Sequence, residues 1–280
     1  MKIVEGSFPS SAHRAGASVP GKVILVGAGP GAPDLLTLRA CRALGRAQLL
    51  LYDHLVSREV LLLAPPGAEL VCVGKESGRH TLPQASIIEL MVRLAREGRS
   101  LVRLKGGDPY IFGRGGEEVE GLAAAGIEFE VIPGISAAQG AAASAGIPLT
   151  HRDHAASVVF ATGHARADGG AAAQGDDPDW AALARPRQTV VIYMGLGTLP
   201  RLCAQLAAHG LAPDTPAAII EHATCPAQRT IVGELRSLPA LAAQQAVRSP
   251  ALVIIGSVVS LHERLAQRAA SGASSGLHAS

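Results

Sequence analysis

The sequence predicts an α/β protein built from two α/β domains with a ligand cleft between them, and three observations carry that expectation. Short apolar segments recur along the chain and end in glycine or in a polar residue, as at Gly27, Asp53, Gly74 and Gly106, with helical patterns between many of them. After Pro133 the character shifts to an alanine-rich helix and a second series of strands. The last apolar run, Leu252 to Ile255, is continuous rather than alternating, as in a sheet covered on both faces. A chain of 280 residues is long enough for two modest domains.

In order along the chain, residues 1–20 form a loose arm rich in serine, alanine, proline and glycine. The N-terminal domain is expected over 21–133. Lys22 to Val26 is its first strand, ending in Gly27, Ala28, Gly29, Pro30 and Gly31; a helix over Leu35 to Leu44 follows, capped by Asp34 or Thr37 and stopped at Gly45. Strands over Gln48 to Tyr52 and Leu70 to Val73 deliver Asp53 and His54, then Gly74, Lys75 and Glu76. A helix over Ser86 to Arg96 leads to the strand Ser100 to Leu104, which carries a basic insertion at Arg103. A helix over Glu117 to Ala125 and a strand over Glu128 to Ile132 complete this half, a parallel arrangement with its chemistry at one sheet edge.

The C-terminal domain is expected over 134–265. It reads as a helix over Ser136 to Ala145, a strand over Ser157 to Ala161, a surface insertion from Ala165 to Pro178 and a strand over Thr189 to Met194. A helix over Leu199 to Ala208, a strand over Ala217 to Glu221, an edge hairpin from Arg229 through Leu235 and the final strand follow. Residues 266–280 read as a disordered tail.

Composition excludes several function classes. The formal charge is +2 and the arginines are dispersed, so nothing argues for nucleic acid. No apolar run reaches membrane-spanning length, and no secretory signal opens the chain. Cys41, Cys72, Cys203 and Cys225 lack metal-ligand spacing and read as buried free thiols in a reducing, cytoplasmic setting, with no metal expected.

The chain is organised around Leu101 to Glu118, LVRLKGGDPYIFGRGGEE. Two glycine pairs flank an aromatic and arginine segment, an arrangement suited to close ligand approach at the carboxyl end of a strand. Gly27, Gly29 and Gly31 lack the spacing of a dinucleotide fingerprint, Pro30 intrudes, and Asp34 would compete with a phosphate at the following helix. A nicotinamide dehydrogenase is therefore disfavoured, and the loop leaves room for a neutral or cationic nucleoside.

Taken together, GAGPG at 27–31, YDHLVS at 52–57, GK at 74–75, RLKGGDPYIFGRGGEE at 103–118, PGISAA at 133–138, GIPLTHRDHA at 146–155, TGH at 162–164 and YMG at 193–195 resemble one family. It is the S-adenosylmethionine-dependent uroporphyrinogen-III C-methyltransferases of the tetrapyrrole methylases, over about Gly21 to Leu265. The resemblance implies a homodimer, a cofactor folded between two α/β domains, and methylation of uroporphyrinogen III at C2 and C7 to precorrin-2 through precorrin-1. It implies cofactor contacts from Pro30, Gly106, Gly107, Asp108, Ile111, Ser136, Ala137, Met194 and Ala223, and S-adenosylhomocysteine as the product. Ser136 stands where the family commonly has threonine, and Ala223 where it commonly has glycine.

The resemblance places the general base at Asp53, with Lys75 either a proton donor or an electrostatic partner for a substrate carboxylate. Asp108 is expected to accept hydrogen bonds from the cofactor or from amides of its own loop. The substrate would carry eight carboxylates, and Arg114, His151, Arg152 and His154 are the candidates for receiving them. His80 and His164 are loop histidines that could also reach substrate. Two alternatives stay open: a methylase of a later precorrin, and a noncatalytic nucleoside or tetrapyrrole binding module. No segment reads as a domain that would oxidise precorrin-2 or insert iron, so those steps are expected of another protein.

Overall fold

The computed structural model describes residues 19–74, 83–163 and 178–265. Lys75, His80, His164, the arm up to residue 18, most of the insertion and the tail lie outside the described residues. The chain divides into two units, Met1–Ala137 and Ala138–Ser280.

The first unit holds five strands: β1 (Val23–Gly27), β2 (Leu49–Tyr52), β3 (Glu69–Cys72), β4 (Leu101–Lys105) and β5 (Phe129–Ile132). They form one sheet in the order β3-β2-β4-β1-β5, every pairing parallel. Helices α1 (Leu38–Leu44) and α2 (Arg58–Leu61) connect β1 to β2 and β2 to β3; their Leu44 and Val60 pack with Val26, Leu50 and Leu104 on one face. On the other face α3 (Gln84–Arg96) supplies Leu90, Met91 and Leu94 and α4 (Gly115–Ala124) supplies Leu122, packed on Leu25, Leu51 and Leu101. Connections from β1 and from β4 leave in opposite directions, so the neighbouring pair β1 and β4 is the switch point of the sheet.

A single helix over Leu35 to Leu44 is not what forms. Pro33–Leu35 makes a 3-10 turn, Leu36 is extended, and Thr37 Oγ1 accepts from the Ala40 amide at 3.1 Å, so α1 begins only at Leu38. The hydroxyl cap at Thr37, rather than Asp34, sets the start.

The second unit takes in all but the first residue of α5 (Ala137–Ser144) and continues through β6 (Ser157–Thr162), α6 (Trp180–Leu183), β7 (Gln188–Tyr193), α7 (Leu199–Ala208), β8 (Pro216–Glu221), β9 (Arg229–Glu234), α8 (Leu238–Gln244) and β10 (Ala251–Ile255). The sheet order is β6-β7-β10-β8-β9. Strand β6 is parallel to β7, whereas β10 is antiparallel to both β7 and β8. The carboxyl ends of β6, β7 and β8 therefore share one edge. Leu202, Leu206, Leu235 and Leu238 pack against Ile192, Ile219 and Val253 on one face of this sheet.

Two expectations are corrected here. Arg229 through Leu235 is not a hairpin but the single edge strand β9, paired with β8, because the reversal lies in the loop 222–228. The cysteines are free but not uniformly buried: Cys41 is exposed on the outer side of α1, while Cys203 is enclosed and its thiol is pushed up by burial to about 11.

Candidate functional site

Glycine lets three strand ends of the first unit touch through their backbones. A Cβ on Gly27 would lie 2.4 Å from the Gly134 nitrogen, and one on Gly134 would lie 2.3 Å from the Gly107 oxygen. Gly29 and Gly107 exchange amide bonds, Gly107 N to Gly29 O at 2.8 Å and Gly29 N to Gly107 O at 3.2 Å. The GAGPG segment thus ties the β1 exit to the β4 exit. It does not lead straight into a helix N-terminus, which removes the geometry a pyrophosphate would need.

Asp108 joins the same cluster. Its Oδ1 accepts from the Tyr110 amide at 2.8 Å and its Oδ2 from the Gly134 amide at 3.0 Å, so the carboxylate braces its own loop and the loop after β5. A Cβ on Gly107, whose φ is +67°, would face the Ala137 nitrogen at 3.4 Å, and Ser136 beside it is buried. Gly106, Gly107, Asp108, Ser136 and Ala137 are consequently brought together, with Pro30 next to the Gly29 pairing. Ile111 follows one turn on, its amide donating to the Asp108 carbonyl. In this cradle an added Cβ would press on Leu55 at Gly106 and meet a left-handed φ at Gly107, so packing and backbone conformation both favour glycine at the strand exit.

Further round the loop, Phe112 and Arg114 adopt φ of 51° and 59°, uncommon for residues other than glycine. Arg114 caps α4 and holds Glu117 through two bonds, Nε to Oε1 at 2.8 Å and Nη2 to Oε2 at 2.7 Å. Its guanidinium is thus oriented at the surface by a neighbouring carboxylate.

Asp53 leaves β2 into a knot of charge that the sequence did not announce. Its Oδ1 accepts from Arg103 Nη2 at 2.5 Å, and Lys105 Nζ lies 3.6 Å from its Oδ2. Both cations also reach Glu118, from Lys105 Nζ at 2.9 Å and from Arg103 Nη2 at 3.1 Å.

In the second unit Met194 and Ala223 sit at the shared edge, just beyond β7 and β8. Met194 is half exposed with φ 54°, and Ala223 lies between His222 and Thr224, at φ 47° and 65°. Glu221 braces this turn: its carboxylate accepts from the Arg248 amide at 2.9 Å and from Arg229 Nε at 2.6 Å. Burial alone would raise its pKa, but these donors outweigh that and hold it below the usual carboxylate value. Gly163 and Gly195, just beyond β6 and β7, meet here too, since a Cβ on Gly163 would lie 2.4 Å from the Gly195 Cα.

His151, Arg152 and His154 lie elsewhere on this unit. They precede β6, with Ala156 N bonded to Arg187 O before β7 and the His154 carbonyl accepting from Ser257 Oγ after β10. That is the opposite end of the sheet from Met194 and Ala223, a strand length of roughly 20 Å away. The two imidazoles meet edge to face, centroids 5.0 Å apart.

A cavity of about 460 Å³ in the first unit, lined by Lys22, Arg39, Arg42, Arg46, Ile24 and Val102 among others, opens at the amino ends of the strands, away from the glycine cluster. Among the described residues no group of three potential ligands could hold a metal ion, and no helix is long and apolar enough to cross a membrane.

Residues 22–239 match the tetrapyrrole (corrin/porphyrin) methylases. The chain belongs to that family. A sirohaem synthase of Thioalkalivibrio sulfidiphilus is 55% identical over 245 residues, which is 88% of this chain and 49% of that protein. The chain spans about half the length of the curated relatives it matches. A uroporphyrin-III C-methyltransferase of Thermus thermophilus, solved in complex with S-adenosylhomocysteine, is 41% identical; the match covers 85% of this chain and 93% of that one at a TM-score of 0.71. A cobalt precorrin-4 methyltransferase is 26% identical over 85% of this chain and 95% of that one, at a TM-score of 0.72.

The sequence did not single out Lys105 and Glu118, which the structure of this tetrapyrrole methylase sets beside Asp53, or Glu221, which it sets beside the turn at Ala223. Lys105, like Arg103, stands in a strand that a doubly covered sheet must bury, which signals a buried partner. Which carboxylate supplies it is not encoded in spacing.

Proposed function

We propose that the chain transfers methyl groups from S-adenosylmethionine to C2 and C7 of uroporphyrinogen III, giving precorrin-2 by way of precorrin-1. The observation that carries this is the glycine cradle at the β1 and β4 switch point, with Asp53 leaving the adjacent strand β2 of the same sheet. Support comes from the 41% identity to the Thermus uroporphyrin-III C-methyltransferase across nearly all of that chain.

When bound, S-adenosylmethionine supplies a methyl group already activated on a sulfonium sulfur. What the chain has to supply is position, a place for the released proton and recognition of carboxylates. Gly106, Gly107, Ser136 and Ala137 let the ligand lie against backbone, with Pro30 and Ile111 beside them, while Asp108 keeps two of these loops in register. Met194 and Ala223, beyond β7 and β8, are further residues proposed to contact the cofactor. Asp53 takes the proton lost from the macrocycle after carbon–carbon bond formation. Lys75, outside the described residues, is its paired donor or carboxylate partner. Arg114 receives a substrate carboxylate, and His151, Arg152 and His154 form a separate basic group proposed for the same purpose. The working form in this proposal is a cytoplasmic homodimer, which the family resemblance supports.

The test is methyl transfer by purified protein with S-adenosylmethionine and anaerobically generated uroporphyrinogen III, product mass being read for wild type and Asp53→Ala. Two added methyl groups are expected, and a loss of at least about 100-fold in kcat for the variant with S-adenosylhomocysteine still bound. No methylated product from folded, cofactor-binding protein would redirect the assignment to a later precorrin, in line with the precorrin-4 methyltransferase likeness.

A further inference from the structure

We propose that Arg103, Lys105 and Glu118 form an internal mount that fixes the direction of the Asp53 carboxylate, and that they are positioning residues for its proton transfer. This rests on the assignment of Asp53 above.

Strand β4 is the central strand of a sheet covered on both faces, and cations buried there are strongly destabilising unless carboxylates answer them. Arg103 is 1% exposed, Lys105 2% and Glu118 0%. Only Asp53, with a quarter of its side chain accessible, opens to solvent. The four charges sum to zero, two cations against two carboxylates.

The connectivity is asymmetric. Glu118 Oε1 alone receives Lys105 Nζ at 2.9 Å, Arg103 Nη2 at 3.1 Å, Arg103 Nε at 3.2 Å and Gln84 Nε2 at 3.1 Å. Its Oε2 is enclosed with no partner among the described residues. Arg103 Nη1 donates to the Leu104 carbonyl at 3.2 Å and reaches the Leu51 carbonyl at 3.5 Å, which locks the guanidinium plane to β4 and β2. The remaining donors point at Asp53, one cation to each oxygen.

Stability alone does not account for such an assembly, since well-packed apolar residues of similar volume are often as stable as a buried ion pair. What it does provide is orientation. A lone aspartate at a strand exit samples several rotamers, whereas catalysis needs the acceptor oxygen held within about half an ångström. Glu118, on the first turn of α4, holds the two cations, and the cations hold Asp53.

The test compares Arg103→Lys and Glu118→Gln, alone and combined with Asp53→Asn, by steady-state kinetics with thermal unfolding as the control for folding. Each single variant is expected to lower kcat about 10- to 100-fold while KM for S-adenosylmethionine stays within about 2-fold. On the Asp53→Asn background each should cost less than about 3-fold more, because residues acting as one unit are not additive. Losses that multiply with that of Asp53→Asn, or a raised KM with unchanged kcat, would overturn the mount. Should Arg103→Lys fail to fold, the isosteric Glu118→Gln decides alone. Wild-type kcat in Asp53→Asn would remove the assignment of Asp53 itself, a different result from an unchanged Glu118→Gln.

Discussion

Glu221 shows how a single residue commits a turn to one shape. It ends β8, and its two oxygens reach the Arg248 amide and the Arg229 side chain while the next residues enter the left-handed conformations around Ala223. Because its folded pKa lies below the ordinary 4.5, the carboxylate contributes stability that is present above that value and lost as pH falls through the folded one. Glu221→Gln should therefore flatten the acid side of the stability profile. Urea midpoints measured at about pH 6 and about pH 4 should converge in the variant relative to wild type; an unchanged gap would show that other groups carry the acid sensitivity.

At the scale of elements, backbone contact between strand exits decides where a ligand can approach. Gly27, Gly107 and Gly134 come from β1, β4 and β5, and no side chain fits between them. Gly134→Ala would drive its methyl group into the Gly107 carbonyl and the Gly27 backbone. A destabilisation of about 2–3 kcal/mol follows from overpacking of this kind. The same change should weaken S-adenosylhomocysteine binding, since the Gly134 amide is also the partner of Asp108. Chemical denaturation and calorimetric titration of the variant check both effects, and wild-type values in both would deny the contact its role.

For the whole molecule, the proposed homodimer has a direct measurement. Sedimentation at micromolar concentration is expected to give twice the mass of the 28.6 kDa chain. A single-chain mass for the active preparation would remove dimerisation from the proposal and leave the reaction untouched. The two sheets differ in kind. The first is wholly parallel, with glycine loops at its carboxyl edge. The second is mixed, yet places β6, β7 and β8 exits on one edge because β10 runs against its neighbours.

By itself the sequence determined the type of most elements, though not the helices α2, α6 and α8, together with the strand exits and the chemical character of the loops, because these follow from local rules: apolar period, glycine freedom and helix capping. Helix α7, Leu199–Ala208, runs between the residues its pattern indicates, and Gly106 to Asp108 mark a strand exit in both readings. The extended residue at Leu36 and the single strand β9 were not legible, since a capping competition and a long reversal after β8 set them. Only the tertiary structure decided that Arg103 and Lys105 answer Asp53 and Glu118, 50 and 15 positions from Arg103, that Asp108 braces two loops, and that His151 to His154 stand away from Met194. Partner choice among buried charges depends on which strands become neighbours, and long-range pairing leaves no trace in spacing along one chain.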